Sequence, residues 1–211
     1  RALTFGTSGL LYRSNKLMFD HETGSLWSSL EGKPVMGPLA AFDVELDYVP
    51  VYTTTWAVWR TRFPETTVLD IETGYQRDYS EGAAYRSYFA TDELMFQVAQ
   101  KDQRLPNKAE VLVFKAGTDG EPVAIALEAL RKRKGLWLER GSGRLWVRMD
   151  SDGFCEVLQP LEVDVPSPEQ LHWQDEGYAD EQAKLMWKRL PSHRVFWFAW
   201  YAQHPDTELI H

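Results

Sequence analysis

Arg77 and Asp78, flanked by Tyr75 and Tyr79, form the polar cluster of this sequence best equipped for ligand chemistry. A guanidinium can hold a carboxylate or phosphate through two parallel N–H donors, and tyrosines can stack or donate beside it. The plainer reading is an Arg77–Asp78 ion pair that fixes a polar segment onto the domain. Asp20 and Asp70 each open the same turn, Asp-x-Glu-Thr-Gly, at residues 20–24 and 70–74. They suit paired acids for general acid/base work or an oxygen-donor calcium turn. An aspartate that caps its own backbone, followed by glycine at positive φ, explains both without chemistry.

The remaining candidates are weaker. His21, His172, His193, His204 and His211 are scattered, and none gives His-x-x-x-His spacing. His21 and His204 are the candidates for a metal, with Cys155, Met18 or Met36 joining only if the fold brings them together. His204, beside Pro205, also sits where a helix C-terminus favours a cation. Gly6-Thr7-Ser8-Gly9 lacks the Gly-x-Ser-x-Gly elbow and reads as a strand-ending turn. No catalytic residue follows from spacing, and no cofactor is predicted within this chain. Arg131, Lys132, Arg133 and Lys134, with Arg140, Arg144 and Arg148, give residues 131–148 a net +6 against Glu139. That patch suits an acidic partner or peripheral contact with anionic lipid; a charged hairpin edge that discourages strand pairing is the alternative.

Composition narrows the field. A net charge of −8 argues against a nucleic-acid partner. No apolar run reaches the roughly twenty residues of a membrane-spanning helix. The single cysteine, Cys155, excludes an internal disulfide and reads as a small buried hydrophobe. Beginning at Arg1 without methionine or signal-peptide pattern, the chain reads as a processed or truncated piece.

What must position these residues is a repeated stretch. Thr53–Leu69, TTTWAVWRTRFPETTVL, returns as Phe196–Ile210, FWFAWYAQHPDTELI. Trp56 and Trp59 match Trp197 and Trp200, and Pro64 matches Pro205, all 141 positions apart. Trp56, Trp59 and Phe63 fall on one face of a short helix that a hydroxyl among Thr53–Thr55 caps and Pro64 ends. Residues 65–69 then turn into a β-branched strand. In the second copy Ser192 is the expected cap and Pro205 the stop. The stripes read as core anchors, with an aromatic-lined ligand site as the alternative.

The predicted fold class is therefore α+β, mainly antiparallel, with two related halves, each closed by a short Trp-rich helix-turn-strand unit. Residues 1–71 form the first half, 72–109 a connecting arm and 110–211 the second half, packed as one compact unit. Residues 1–48 read as a meander whose last strand is Phe42–Tyr48. The arm, polar and aromatic, reads as wrapping both halves. Hairpins are expected around Gly117-Thr118-Asp119-Gly120 and Arg140-Gly141-Ser142-Gly143, and short helices near Glu128–Leu130 and over Asp180–Arg189. The strands at Val111–Leu127 have no counterpart in the first half, which reads as lacking its N-terminal part.

Several blocks, in order along nearly the whole chain, carry a family resemblance. They are Phe5–Tyr12 (FGTSGLLY), Leu17–Asp20, Thr23–Ser28, Gly37–Leu39, Thr55–Trp56, Thr73–Tyr79, Arg104–Lys108 and Phe196–Trp200. The sequence resembles the bacterial domain of unknown function 3179 family. That resemblance implies no assigned activity. It implies an exported protein, often with a leader or lipid anchor, and hence an extracytoplasmic location. Many members carry a Cys-Pro-x-Cys-type element just upstream of the Phe-Gly-x-Ser-Gly block; this chain departs there, since Arg1 begins immediately before that block. Two functions are expected in order of preference. The first is a non-enzymatic extracytoplasmic binding or structural module that engages a protein or small ligand, as a subunit of a larger complex. The second is a metal- or redox-linked protein or enzyme that uses cysteines upstream of this chain, with the metal held by the intact polypeptide.

Overall fold

The computed structural model describes residues 2–72, 74–80, 82–117, 120–140 and 143–211. An antiparallel meander opens the chain: β1 (Phe5–Tyr12), β2 (Asn15–Asp20), β3 (Leu26–Ser28) and β4 (Pro34–Met36), in that spatial order. Gly6-Thr7-Ser8-Gly9 does not end a strand. It bulges within β1, where Gly9 takes φ +75° and the Ser8 hydroxyl donates to the Leu17 carbonyl at 2.7 Å. The Asp20 turn is an Asx cap with a further duty: its buried carboxylate also accepts the Trp27 indole N–H at 2.8 Å. Phe42–Tyr48, expected as a fifth strand, is not one. Alternation fixes a strand only beside a partner ladder, and this segment is held instead by ion pairs, Lys33 to Glu45 at 3.0 Å among them.

The helix α1 (Trp56–Arg62) and the one-turn α2 (Arg86–Phe89) lead to the second, larger set of elements. These are β5 (Glu110–Ala116), β6 (Glu121–Ala126), α3 (Leu127–Arg133), β7 (Gly135–Arg140), β8 (Gly143–Met149), β9 (Cys155–Pro160), β10 (His172–Gln174), β11 (Gly177–Ala179), β12 (Leu185–Leu190), β13 (His193–Phe196), α4 (Trp197–Gln203) and β14 (Glu208–Ile210). They form a six-stranded sheet ordered β10-β11-β12-β9-β8-β7 and a four-stranded sheet ordered β13-β5-β6-β14. The fold is α+β and mainly antiparallel; β14 joins β6 in parallel. The β5–β6 and β7–β8 hairpins pair as expected, while Thr118, Asp119, Gly141, Ser142 and Thr73, on which turns were placed, lie outside the described residues.

The β5–β6 hairpin is central because both of its faces are apolar, which is what its unbroken VLVF and VAIA runs encode. One face, with Leu112, Phe114, Val123 and Ile125, packs on Leu138, Leu145, Val147, Cys155 and Val157 of the six-stranded sheet. The other, with Val111, Val113 and Ala124, packs on Trp197 and Trp200 of α4 and on Leu30 from the first half. Cys155 is thus a buried packing residue, and burial pushes its thiol up to about 11. The expected helix over Asp180–Arg189 is a turn followed by β12. Pairing with β9 and β11 and the burial of Met186, Trp187 and Arg189 override a weak helical pattern. At the β11–β12 irregularity Gly177 takes φ +151°, and a Cβ there would stand 1.9 Å from the Trp187 carbonyl oxygen. Gly177→Ala is expected to cost about 1–3 kcal/mol by chemical denaturation, with the midpoint lowered and the slope unchanged.

The two Trp-rich units match position for position. The residues before the helices, Thr55 and Phe196, have φ/ψ of −81/152° and −77/145°. The residues after them, Phe63 and His204, have −129/73° and −127/74°. Each precedes a proline, which keeps it out of helical geometry. Trp59 Nε1 donates to Thr66 Oγ1 at 3.0 Å, and Trp200 Nε1 to Thr207 Oγ1 at 2.8 Å. The caps differ. Thr55 accepts the Val58 N–H, whereas Ser192 caps nothing, because Phe196 enters α4 directly from β13. The strands differ too: residues 208–210 form β14, while 67–69 lie in no ladder.

Candidate functional site

Where the two sets of elements meet, a pocket of about 130 Å³ opens between the segments carrying Leu30 and Tyr48 and the β5, β13 and α4 elements. Leu30, Tyr48, Phe114, Pro191 and Trp200 make its wall apolar; Glu31, Lys115 and His193 supply polar groups. β-alternation turns Phe114 to the hairpin's other face yet leaves its edge here, and α4 delivers Trp200 from below. Volume of this size holds one six-membered ring.

The polar groups form a chain. His204 Nε2 lies 2.7 Å from Glu31 Oε1, and Lys115 Nζ bridges Glu31 and Glu45 at 3.5 and 3.6 Å. Burial alone would raise the Glu31 carboxyl; the hydrogen bond and charge of His204, with Lys115, more than offset it and hold it below the ordinary carboxylate range. Burial holds His193 below the ordinary histidine range, so its ring is neutral at pH 7. Among the described residues no protein group bonds to the His193 ring. Partial burial and the charges of Glu31 and Glu45 push the Tyr48 phenol far above its ordinary range.

The lowered Glu31 pKa carries a sign. The ionised carboxylate is favoured in the folded state, so its stabilisation is present above the unfolded carboxylate pKa of about 4.3 and is lost as pH falls through the lowered folded value. The melting-temperature gap between the native chain and Glu31→Gln is therefore expected to be present at about pH 5 and to close below about 4. A gap independent of pH down to 3 would contradict the pairing.

The residues singled out from sequence lie elsewhere. Tyr75, Arg77, Asp78 and Tyr79 are exposed on the arm. Arg77 sits 5.9 Å over the Tyr75 ring, and Asp78 accepts the Ser80 hydroxyl at 2.5 Å and the Ser80 amide at 2.9 Å, which lowers its pKa. Arg77 and Asp78 thus face different neighbours and form no ion pair with one another. Further along, the arm closes on itself, with Lys108 Nζ 3.6 Å from the Tyr88 ring centroid and Asn107 Nδ2 donating to Asp92 at 2.9 Å, and it docks through Phe89, edge-on against Phe196.

His21 stacks on Phe19, while His204 serves Glu31. Among the described residues no three His, Cys, Asp or Glu side chains gather as a metal-ligating group. The basic run divides. Arg131, Lys132, Arg133 and Lys134 stay at the exposed end of α3, where Lys132 pairs with Glu128 at 2.6 Å. Arg140 pairs with Glu208, Arg144 lies 4.6 Å over the Trp137 ring, and Arg148 turns into the core. No helix among the described residues is long and apolar enough to cross a membrane.

The most tightly built polar group was not visible in the sequence. Glu156 is almost fully buried. Its Oε2 accepts Arg148 Nε at 3.0 Å and the Tyr178 hydroxyl at 2.8 Å, and its Oε1 accepts the Tyr52 hydroxyl. Trp173 Nε1 donates to Tyr52 at 3.1 Å, and Arg189 lies 4.4 Å over the Tyr52 ring. Burial and the Glu156 charge push the Tyr52 phenol up to about 12. With its carboxylate oxygens bonded on both sides, the group fastens residues 50–54 to the six-stranded sheet.

No curated protein and no solved structure matches the chain. A family model, described as a protein of unknown function (DUF3179), matches residues 1–207, and with that span covered the chain belongs to this family.

Proposed function

We propose that this chain is a binding module that takes a small ligand, with an apolar body of one ring and one hydrogen-bond donor, in the pocket between Leu30, Phe114 and Trp200. One observation carries the reading: an apolar pocket of ring size holds a neutral histidine, His193, whose ring is hydrogen-bonded by no protein group among the described residues. A donor on the ligand meets the imidazole acceptor while its body covers Phe114 and Trp200. In this reading Glu31, His204 and Lys115 shape the pocket and hold its charge in balance. The family resemblance supports work outside the cytoplasm, and the exposed aromatics of the arm, Tyr85, Phe89 and Phe96, support a further protein contact in a larger complex.

Phenol and toluene, which differ by one donor, test the reading. Phenol is expected to raise the melting temperature and shift the Trp200 indole resonance, with toluene at least tenfold weaker. His193→Leu is expected to equalise the two. Absence of any shift up to millimolar phenol would refute the pocket as the binding site.

A further inference from the structure

The two Trp-rich units share backbone angles at both helix ends and indole-to-threonine hydrogen bonds, yet their surroundings differ. α4 sits in a frame whose sides are β13 and β14, and the β5–β6 hairpin fills it: His193–Phe196 run antiparallel to Val113–Glu110, and Glu208–Ile210 run parallel to Val123–Ile125. Shifted by 141 positions, the sides of the α1 frame are residues 52–55 and 67–69. Among the described residues neither side pairs in a ladder.

Trp59, the counterpart of Trp200, is half-buried against Phe63 and Phe154, but the other side chains that a hairpin would cover are bare. Trp197 is 1% exposed and Trp56 43%. Leu209 and Ile210 are half-buried, packing with the hydrophobic clusters on either face of the hairpin; Val68 is 67% and Leu69 92% exposed. Five large apolar side chains within residues 51–71, Val51, Trp56, Val68, Leu69 and Ile71, are solvent-facing around one helix. A monomer surface seldom leaves such a group uncovered without a partner.

We propose that the α1 frame is a docking site for a β-hairpin of the same chemistry as β5–β6, two aliphatic strands with small residues on the face that meets the tryptophans. The occupant adds one strand antiparallel to residues 52–55 and one parallel to 67–69, which is β-augmentation on both sides of a helix. Its specificity lies in the inner face: the equivalents of Val111, Val113 and Ala124 leave room for two indoles, where larger residues would collide. Backbone groups at 67–69 gain the ladder partners that β14 already has.

The test supplies that hairpin covalently. Residues 107–127 are placed ahead of Ala2 through a glycine-serine linker of about twenty residues, which reaches roughly 25 Å on average. Hydrogen exchange of the peptide 66–72 and oxidation of Trp56 by N-bromosuccinimide are followed in the fused and unfused chains. Amide exchange at 67–69 is expected to slow at least tenfold in the fusion, and Trp56 to lose most of its reactivity. Leu69→Asp should abolish the protection in the fusion while leaving the melting temperature of the unfused chain unchanged. Unchanged exchange at 66–72 in a fusion whose added strands are themselves protected would overturn the proposal. So would a dimer of the unfused chain in which 66–72 is already protected, because a second copy would then be the occupant.

Discussion

Glu156→Ala is expected to lower stability by about 3–5 kcal/mol, the range for removing one partner of a buried ion pair. At roughly 2–4 °C per kcal/mol for a chain of this size, the melting temperature falls by about 6–20 °C. The size of the effect comes from what is left behind. Arg148, 7% exposed, keeps only Glu169 at the surface as a carboxylate partner, and the hydroxyls of Tyr52 and Tyr178 lose their acceptor. Replacing Arg148 with Met in the same chain removes the stranded charge. The double variant should therefore be less destabilised than the sum of the two single ones, by about 1–3 kcal/mol in a thermodynamic cycle. Glu156→Gln keeps the volume and part of the hydrogen bonding and falls between. Because Tyr52 ties residues 50–54 to this carboxylate, the same variant should speed amide exchange there before global unfolding. A loss under 1 kcal/mol, with exchange at 50–54 unchanged, would show that the cluster is incidental.

The contrast between this cluster and the Trp-rich units shows what a single sequence discloses. The helices α1 and α4 were legible because their information is local: tryptophans three apart and a proline after, with a capping hydroxyl before α1. The β5–β6 hairpin was legible because strands buried on both faces carry unbroken aliphatic runs. The hydrogen bonds of the Glu156 group join residues separated by up to 121 positions, and Glu31 meets His204 across 173. Spacing along the chain has no access to such pairs. The available signal was a charged residue at a core-facing strand position, in RLWVRM and CEVLQP, since a buried charge demands an opposite partner. Local patterns also misled. Phe42–Tyr48 alternates but finds no neighbouring strand, and residues 185–190 become a strand because β9 and β11 flank them.

Trp197→Ala and Trp56→Ala are the matched pair that separates local code from environment. The two residues occupy one position in units whose backbone angles agree within 7° at both ends. Trp197 packs on the β5–β6 hairpin, lies 5.4 Å from the Tyr201 ring and is covered by Arg104, 5.3 Å from its own ring. Truncation there opens a cavity that rigid strands cannot close, and it should cost about 3–5 kcal/mol. Trp56 begins nearly half exposed, so its truncation returns less apolar surface to water and leaves no enclosed void; about 1 kcal/mol or less is expected. The neighbouring pair gives the internal control. Trp200→Phe and Trp59→Phe each delete one indole hydrogen bond to the equivalent threonine. Thr207 is buried and also anchors Pro122 on β6, whereas Thr66 is open to water. Trp200→Phe should therefore cost about 1–2 kcal/mol, and Trp59→Phe a few tenths, since water replaces an exposed partner readily. Urea titrations of all four variants decide the matter. Equal losses at Trp56 and Trp197 would mean that the α1 unit is already covered in solution, and its bare aliphatic edge would need another explanation.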